Sequence, residues 1–179
     1  LNISGKKIIL TGNPLRKDLI RIGKKEALDF FKFQEGKFNI LITGGSQGSH
    51  KLNSVCFEAI SACRRKDDLQ LIHISGIQDF SALKIKYDAL NLAYRLFEFF
   101  PAMQYAYSVA DLVICRSGAT TIAELQRFVI PAVLIPYPFA YAHQEANDSV
   151  LRDLGAALVI KDEELSAEKL TDKLNEFFI

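Results

Sequence analysis

Cys115-Arg116-Ser117-Gly118-Ala119-Thr120-Thr121-Ile122-Ala123-Glu124 is the stretch that decides the fold. The apolar run Leu112-Val113-Ile114 stops abruptly at small polar residues, and a helical pattern (Ile122, Leu125, Gln126, Val129) begins at once. That order reads as a strand, a tight glycine turn and a helix N-terminus. The first turn of such a helix has N–H groups with no intrahelical partner and carries the positive end of the helix dipole. Anions such as phosphates bind there. Glu124 falls within the first turns of the same helix, where a carboxylate can accept two hydrogen bonds from neighbouring ribose hydroxyls. Phosphate and ribose together point to a nucleotide.

A second glycine turn lies upstream. Asn39-Ile40-Leu41-Ile42-Thr43 is a short apolar, β-branched run followed by Gly44-Gly45-Ser46-Gln47-Gly48-Ser49 and a helix expected over Lys51–Arg64. Glycine admits positive φ and close approach of backbone to a ligand. The pattern is neither G-x-G-x-x-G nor G-x-x-x-x-G-K-[ST], so the usual dinucleotide fingerprint and the P-loop are both missing. Ser46 could turn its hydroxyl and N–H toward a phosphate, or serve only as the cap of the helix that follows.

Outward from these turns, apolar runs alternate with helical patterns. Strands are expected at Asn39–Thr43, Gln70–Ser75, Ala93–Phe97, Asp111–Arg116, Ala132–Ile135 and Ala157–Ile160. Helices are expected at Lys24–Phe31, Lys51–Arg64, Ser81–Leu90, Gln104–Val109, Thr121–Val129, Gln144–Leu154 and Ala167–Phe178. Strands separated by helices imply parallel βαβ units, hence an α/β, Rossmann-like parallel sheet with helices on both faces. Ligands of such sheets lie beyond the carboxyl ends of the strands, where both glycine turns fall. Residues 1–20 differ in kind: Lys6–Thr11 is a lone strand-like run before Gly12-Asn13-Pro14, without a partner helix.

Composition narrows the class. With 179 residues, 49% of them hydrophobic, and a net charge of +1, the chain fits one globular domain. A near-neutral balance argues against nucleic acid as a partner, since Arg64-Arg65-Lys66 is followed at once by Asp67-Asp68. No apolar stretch approaches the roughly 20 residues that span a bilayer, and no signal-peptide core is present, so the chain reads as cytoplasmic. Cys56 and Cys63, about 10 Å apart along one expected helix, are too distant for a disulfide. With Cys115 they read as buried thiols. His50, His73 and His143 stand in unrelated contexts, so zinc spacing is absent.

Four motifs together, Gly12-Asn13-Pro14-Leu15-Arg16, Gly44-Gly45-Ser46-Gln47-Gly48, Cys115-Arg116-Ser117-Gly118-Ala119 and His143-Gln144-Glu145-Ala146-Asn147, resemble in order and separation the C-terminal half of the MurG family. That bacterial family transfers N-acetylglucosamine from UDP-GlcNAc to the lipid-linked muramoyl-pentapeptide precursor of peptidoglycan. The resemblance runs from about residue 8 to the end, and the family's N-terminal, acceptor-binding half has no counterpart in the sequence. It implies the C-terminal domain of a GT-B glycosyltransferase, with residues 1–20 as the interdomain connector and 21–179 as the UDP-sugar domain. It makes Leu1 read as a fragment boundary.

Carried over motif by motif, the resemblance makes Arg16 a cationic contact to UDP and sets Ser46 and the backbone of Ala119, Thr120 and Thr121 at the diphosphate. It makes Glu124 the ribose carboxylate and gives the backbone of Phe100 to the uracil edge, within the loop Phe99-Phe100-Pro101-Ala102-Met103. His143, Gln144 and Asn147 fall at the sugar, with the Gln144 amide reading hydroxyls. The chain departs from the family at Leu15, Phe100, Thr120, Tyr141, Ala142 and Asp148. No cofactor is implied, and the sequence has no Asp-x-Asp motif that would call for a metal at the diphosphate. The catalytic base is expected on the missing half, His143 being the only nearby candidate of suitable pKa. The full-length protein is expected at the cytoplasmic face of the bacterial inner membrane. Two other readings stay open: a donor subunit of a two-chain transferase making dolichol-linked chitobiose, and a non-catalytic nucleotide-binding module. A galactolipid synthase fits the Gly44–Gly48 turn less well.

Overall fold

The computed structural model describes Ile9, residues 12–138 and residues 143–177, the side chains of 143–146 excepted. In chain order the elements are α1 (Lys24–Phe31), β1 (Phe38–Thr43), α2 (His50–Ala62), β2 (Leu69–Ile74), α3 (Ile77–Asp88), β3 (Ala93–Phe97) and α4 (Met103–Val109). They continue with β4 (Leu112–Cys115), α5 (Ala119–Phe128), β5 (Ala132–Leu134), α6 (His143–Arg152), β6 (Ala157–Val159) and α7 (Ala167–Glu176). The strands form one parallel sheet in the order β3-β2-β1-β4-β5-β6. This is the α/β Rossmann-like arrangement that the alternating pattern implies.

Burial on both faces explains why the central strands β1, β4 and β5 read as largely continuous apolar runs rather than as alternating ones. Along β1, Leu41 enters a core with Phe31, Val113, Phe128 and Leu134, under α1, α4, α5 and α6. Its neighbours Ile40 and Ile42 enter the opposite core with Leu52, Leu71, Ile114 and Leu170, under α2, α3 and α7. All three are at most 1% exposed, and burying one such side chain contributes about 1.5–3 kcal/mol.

The sheet reverses its winding between β1 and β4. There Thr43 and Cys115 are register partners, so the two glycine turns leave adjacent strands side by side. Crevices of this kind, at the carboxyl ends of strands where the order switches, are where doubly wound sheets take ligands.

Several boundaries move, each for a local reason. α5 begins at Ala119, two residues before the expected Thr121, because Gly118 takes the extended cap conformation (φ −63°, ψ 141°). It ends at Phe128, and Val129 adopts a left-handed cap (φ 51°), which is rare for a β-branched residue. α3 starts at Ile77, not Ser81, immediately after the positive-φ turn at Gly76. α2 ends at Ala62, so Cys63 (ψ 133°) caps the helix instead of continuing it, and it packs in the same core as Cys56. All three cysteines are buried and free. The strand-like run Lys6–Thr11 lies outside the described residues apart from Ile9, as does Phe139–Ala142.

Candidate nucleotide-binding site

The first intrahelical bond of α5 runs from Ile122 N to Gly118 O at 2.9 Å. The N–H groups of Ala119, Thr120 and Thr121 therefore have no intrahelical acceptor and point out of the helix start. Ala119 and Thr120 are exposed and Thr121 is half-buried. Just before them Ser117 is fully buried, and its Oγ has no hydrogen-bond partner among the described residues. The Ser117 carbonyl accepts from Asn147 Nδ2 at 3.0 Å, which pins α6 beside the turn.

Arg116 organises the surroundings. Its Nη2 donates to Ser49 Oγ at 2.7 Å, and its Nη1 donates to Asp162 Oδ1 at 2.5 Å and to the carbonyls of Ile135 and Pro136 at 3.3 Å. Lys51 Nζ adds a second cation to Asp162 at 3.1 Å. Burial opposes ionisation of Asp162, but hydrogen bonds from Arg116 and Lys51 outweigh it and hold the carboxyl below the ordinary range. The guanidinium thus joins the ends of β4 and β5, the start of α2 and the turn at Asp162. Sequence reading passed over it, although a cation directly after an apolar strand and before a glycine turn was the available signal.

Ser46 is exposed within its turn and does not cap α2. The capping position belongs to Ser49, whose hydroxyl is taken by Arg116. The turn is closed by a 3.1 Å bond from Gly48 N to Gly45 O. Gly48 (φ +75°) admits no side chain, since a Cβ would come within 2.2 Å of the Ser75 carbonyl oxygen.

The segment before α1 lies across the α5 start. Asn13 Nδ2 donates to Thr120 Oγ1 at 3.3 Å, and Arg16 Nη2 donates to the Pro101 carbonyl at 3.0 Å. Leu19, 2% exposed, anchors this segment in the core. The two adjacent phenylalanines divide: Phe100 is 7% exposed and packs on Phe31 and Phe97, whereas Phe99 is 66% exposed. Arg16 thereby joins the segment before α1 to the loop that holds Phe100.

Glu124 is half-buried, and its Oε2 accepts from the Tyr107 hydroxyl at 2.7 Å. Burial first, and then the Glu124 charge, push the Tyr107 phenol well above its ordinary range, so it remains a donor. The carboxylate keeps lone pairs for a second partner. Cys115, beneath the turn, is pushed up to about 12 by burial and is no nucleophile at neutral pH.

His143 and Gln144 open α6, but their side chains lie outside the described residues; Asn147 is the described member of that motif. The histidine contexts need correcting: His50 and His73 are joined through Asp79 and Asn53 by hydrogen bonds of 2.7–3.0 Å. Among the described residues no cluster of three His, Cys, Asp or Glu side chains is placed to hold a metal, and no helix is long and apolar enough to cross a membrane. A groove of about 650 Å³ lined by Lys24, Lys37, Asn39, Arg65 and Asp111 sits at the amino end of β1, opposite the glycine turns. Asp111 and Asp68 already pair with Lys24, Lys37 and Arg65 there, so it is the weaker candidate for an anion.

Comparison with known proteins converges on one family. A UDP-N-acetylglucosamine–N-acetylmuramyl-(pentapeptide) pyrophosphoryl-undecaprenol N-acetylglucosamine transferase of Halothermothrix orenii is 41% identical over 95% of this chain and 48% of its own length. The protein of that name from Thermodesulfovibrio yellowstonii is also 41% identical, over 97% of this chain and 48% of its own. The chain therefore spans about half the length of the curated relatives it matches. Among solved structures, Acinetobacter baumannii MurG superposes with a TM-score of 0.76 at 29% identity, covering 93% of this chain and 49% of that one. WaaG, a glycosyltransferase involved in lipopolysaccharide biosynthesis, shares the fold at 15% identity (TM-score 0.62, 92% of this chain and 45% of WaaG). The model of the glycosyltransferase family 28 C-terminal domain matches residues 39–178, from β1 through α7, and the chain belongs to that family.

Proposed function

We propose that this chain is the donor-binding half of a transferase that moves N-acetylglucosamine from UDP-GlcNAc to the lipid-linked muramoyl-pentapeptide precursor of peptidoglycan. The observation that carries the reading is the register pairing of Thr43 with Cys115, which sets two glycine turns side by side at the switch point. Residues 1–20 act as the connector and 21–179 as the UDP-sugar domain, a division supported by the contacts of Asn13 and Arg16 across the α5 start.

In this reading the diphosphate sits on the N–H groups of Ala119, Thr120 and Thr121, with Ser46 on its other side and Arg16 nearby. Glu124 accepts from the ribose hydroxyls while Tyr107 holds it in place. The backbone of Phe100 reads the uracil edge, and Gln144, His143 and Asn147 border the hexose. Transfer breaks the bond between the sugar's anomeric carbon and the UDP oxygen, leaving negative charge on the β-phosphate. Fixed N–H dipoles and the Arg16 cation stabilise that charge without reorganising at the moment of reaction. The acceptor site and the base that deprotonates the acceptor's hydroxyl belong to the family's other half, at the cytoplasmic face of the inner membrane.

Thermal unfolding tests this. UDP raises the melting temperature by mass action on the folded state, whereas ADP and GDP do not. Equal shifts with all three nucleotides remove the uracil assignment, and no shift with UDP removes the donor-site reading. The 179-residue chain alone binds UDP-GlcNAc without transferring the sugar; detected transfer would overturn the assignment of the base to the other half.

A further inference from the structure

A buried polar chain runs from the core to the Gly44–Gly48 turn, and no step of the transfer uses it. It begins at Tyr87, fully buried on α3, whose hydroxyl lies 2.9 Å from His73 Nδ1 on β2. His73 Nε2 lies 3.0 Å from Asn53 Oδ1 on α2. Asn53 Nδ2 then donates twice, to the Ser75 carbonyl at 2.8 Å and to Asp79 Oδ2 at 2.7 Å. The other Asp79 oxygen meets His50 Nδ1 at 2.7 Å.

Donor and acceptor counting gives the chain one direction. Both hydrogens of the Asn53 amide nitrogen are committed, and the reversed amide would set its oxygen against a carbonyl and a carboxylate. Asn53 Oδ1 must therefore accept, so His73 carries its proton on Nε2, and Nδ1 accepts from the Tyr87 hydroxyl. Burial pushes the His73 imidazolium down to about 3, so the ring is neutral at any working pH. Burial opposes ionisation of Asp79, but hydrogen bonds from His50 and Asn53 prevail and hold it below the ordinary carboxyl range.

The far end of the chain sets the glycine turn. Ser75 is 1% exposed, and its N–H donates to the Phe97 carbonyl at 2.9 Å. Its own carbonyl receives Asn53 on one side and abuts Gly48 on the other, with room for no Cβ at Gly48. Gly76 (φ +77°) packs equally tightly, since a Cβ there would come within 2.7 Å of the Gln47 carbonyl oxygen. Any shift of the Ser75–Gly76 peptide must therefore displace residues 47 and 48.

We propose that Asn53 is a positioning residue for the Gly44–Gly48 turn, oriented by His73 and Tyr87 and acting through the Ser75 carbonyl. Its consequence for ligand binding rests on the reading of that turn as a wall of the diphosphate site. Asn53→Asp faces the Ser75 carbonyl and Asp79 with a carboxylate. Asn53→Ser withdraws the amide, and Tyr87→Phe removes only the hydroxyl that fixes the imidazole.

Hydrogen–deuterium exchange of the unliganded 179-residue chain, with UDP and uridine titrations in parallel, tests the proposal. In each variant the peptide covering residues 44–49 exchanges at least threefold faster than in the wild type, while the peptide covering α5 keeps its rate. UDP affinity falls at least threefold and uridine, which has no phosphate, binds as before. Tyr87→Phe retains the packed ring and keeps the test open if the Asn53 variants do not fold. Faster exchange spread evenly over β1, α2 and β2, or an unchanged rate at 44–49, overturns the positioning role. Equal losses for UDP and uridine overturn it as well. If the wild-type chain binds no UDP, the donor reading fails, and the exchange comparison alone decides whether Asn53 holds the turn.

Discussion

Arg116 Nη2 donates to Ser49 Oγ at 2.7 Å, tying the end of β4 to the start of α2 and so one glycine turn to the other. The same guanidinium, 11% exposed, faces Asp162. Arg116→Ala would leave that carboxylate with Lys51 as its charged partner. Breaking a fully buried ion pair costs about 3–5 kcal/mol; this pair is only partly buried and Asp162 keeps Lys51, so the expected loss falls below that range. Urea denaturation measures it. Arg116→Lys should recover only part, since an ammonium cannot span Ser49, Asp162 and two carbonyls as the planar fork does. A loss within the surface range of about 0.5 kcal/mol would remove Arg116 as the organiser.

Glu124 has two separable roles. Glu124→Ala removes the acceptor of Tyr107, so stability falls by about 1 kcal/mol, and UDP affinity falls by about 1–3 kcal/mol through lost charge-assisted bonds. Glu124→Gln keeps an acceptor for the phenol but not the charge. It should melt as the wild type does yet bind UDP more weakly. Wild-type UDP affinity in the Gln variant would reduce Glu124 to a partner of Tyr107.

Asn147 and Gln144 should differ in what they affect. Asn147 holds the Ser117 carbonyl, so Asn147→Ala loosens the α6–turn contact and weakens UDP and UDP-GlcNAc alike. Gln144, one helical turn earlier, is proposed to read the sugar. Gln144→Ala should weaken UDP-GlcNAc roughly threefold to tenfold, the scale of one neutral hydrogen bond, and leave UDP nearly unchanged. Calorimetric titration with both ligands distinguishes them; equal losses for Gln144→Ala would move it from the sugar to the diphosphate.

His73 makes the fold sensitive to acid. Its imidazolium is pushed down by burial from 6.5 to about 3, so in that interval the unfolded chain binds a proton that the folded chain does not. The stability held above pH 6.5 is lost as pH falls toward 3, at up to about 1.4 kcal/mol per unit. Asp79, whose carboxyl is held low in the fold, adds a loss of the same sign further into acid. Denaturation curves from pH 7 to pH 4 measure the slope, and His73→Gln should flatten it. An equal slope in that variant would assign the acid sensitivity to other groups.

The α/β class was legible because the four central strands β1, β2, β4 and β5 are buried on both faces, while the edge strands β3 and β6, only half-buried, still carry short apolar runs between helical patterns. Such patterns are local, and the glycine turns at the ends of β1 and β4 could be read for the same reason. Element ends were less legible. Helix starts at Gly76 and Gly118 depend on backbone conformations that no side chain announces, and the end of α2 before Cys63 left no apolar signal.

By itself, the sequence determined the order of strands and helices, the two turns able to receive anions, and the motif set that marks the family. Only the tertiary structure decided which residues meet. The register of Thr43 with Cys115 brings together strand ends 72 residues apart in the chain, and with them the two turns. It also sets Arg116 against Ser49 and Asp162, lays Asn13 over Thr120, and joins His73 to a histidine that looked unrelated. Contacts between distant segments arise from strand order and burial, and hydrogen-bond partners are selected only after the sheet has closed around them.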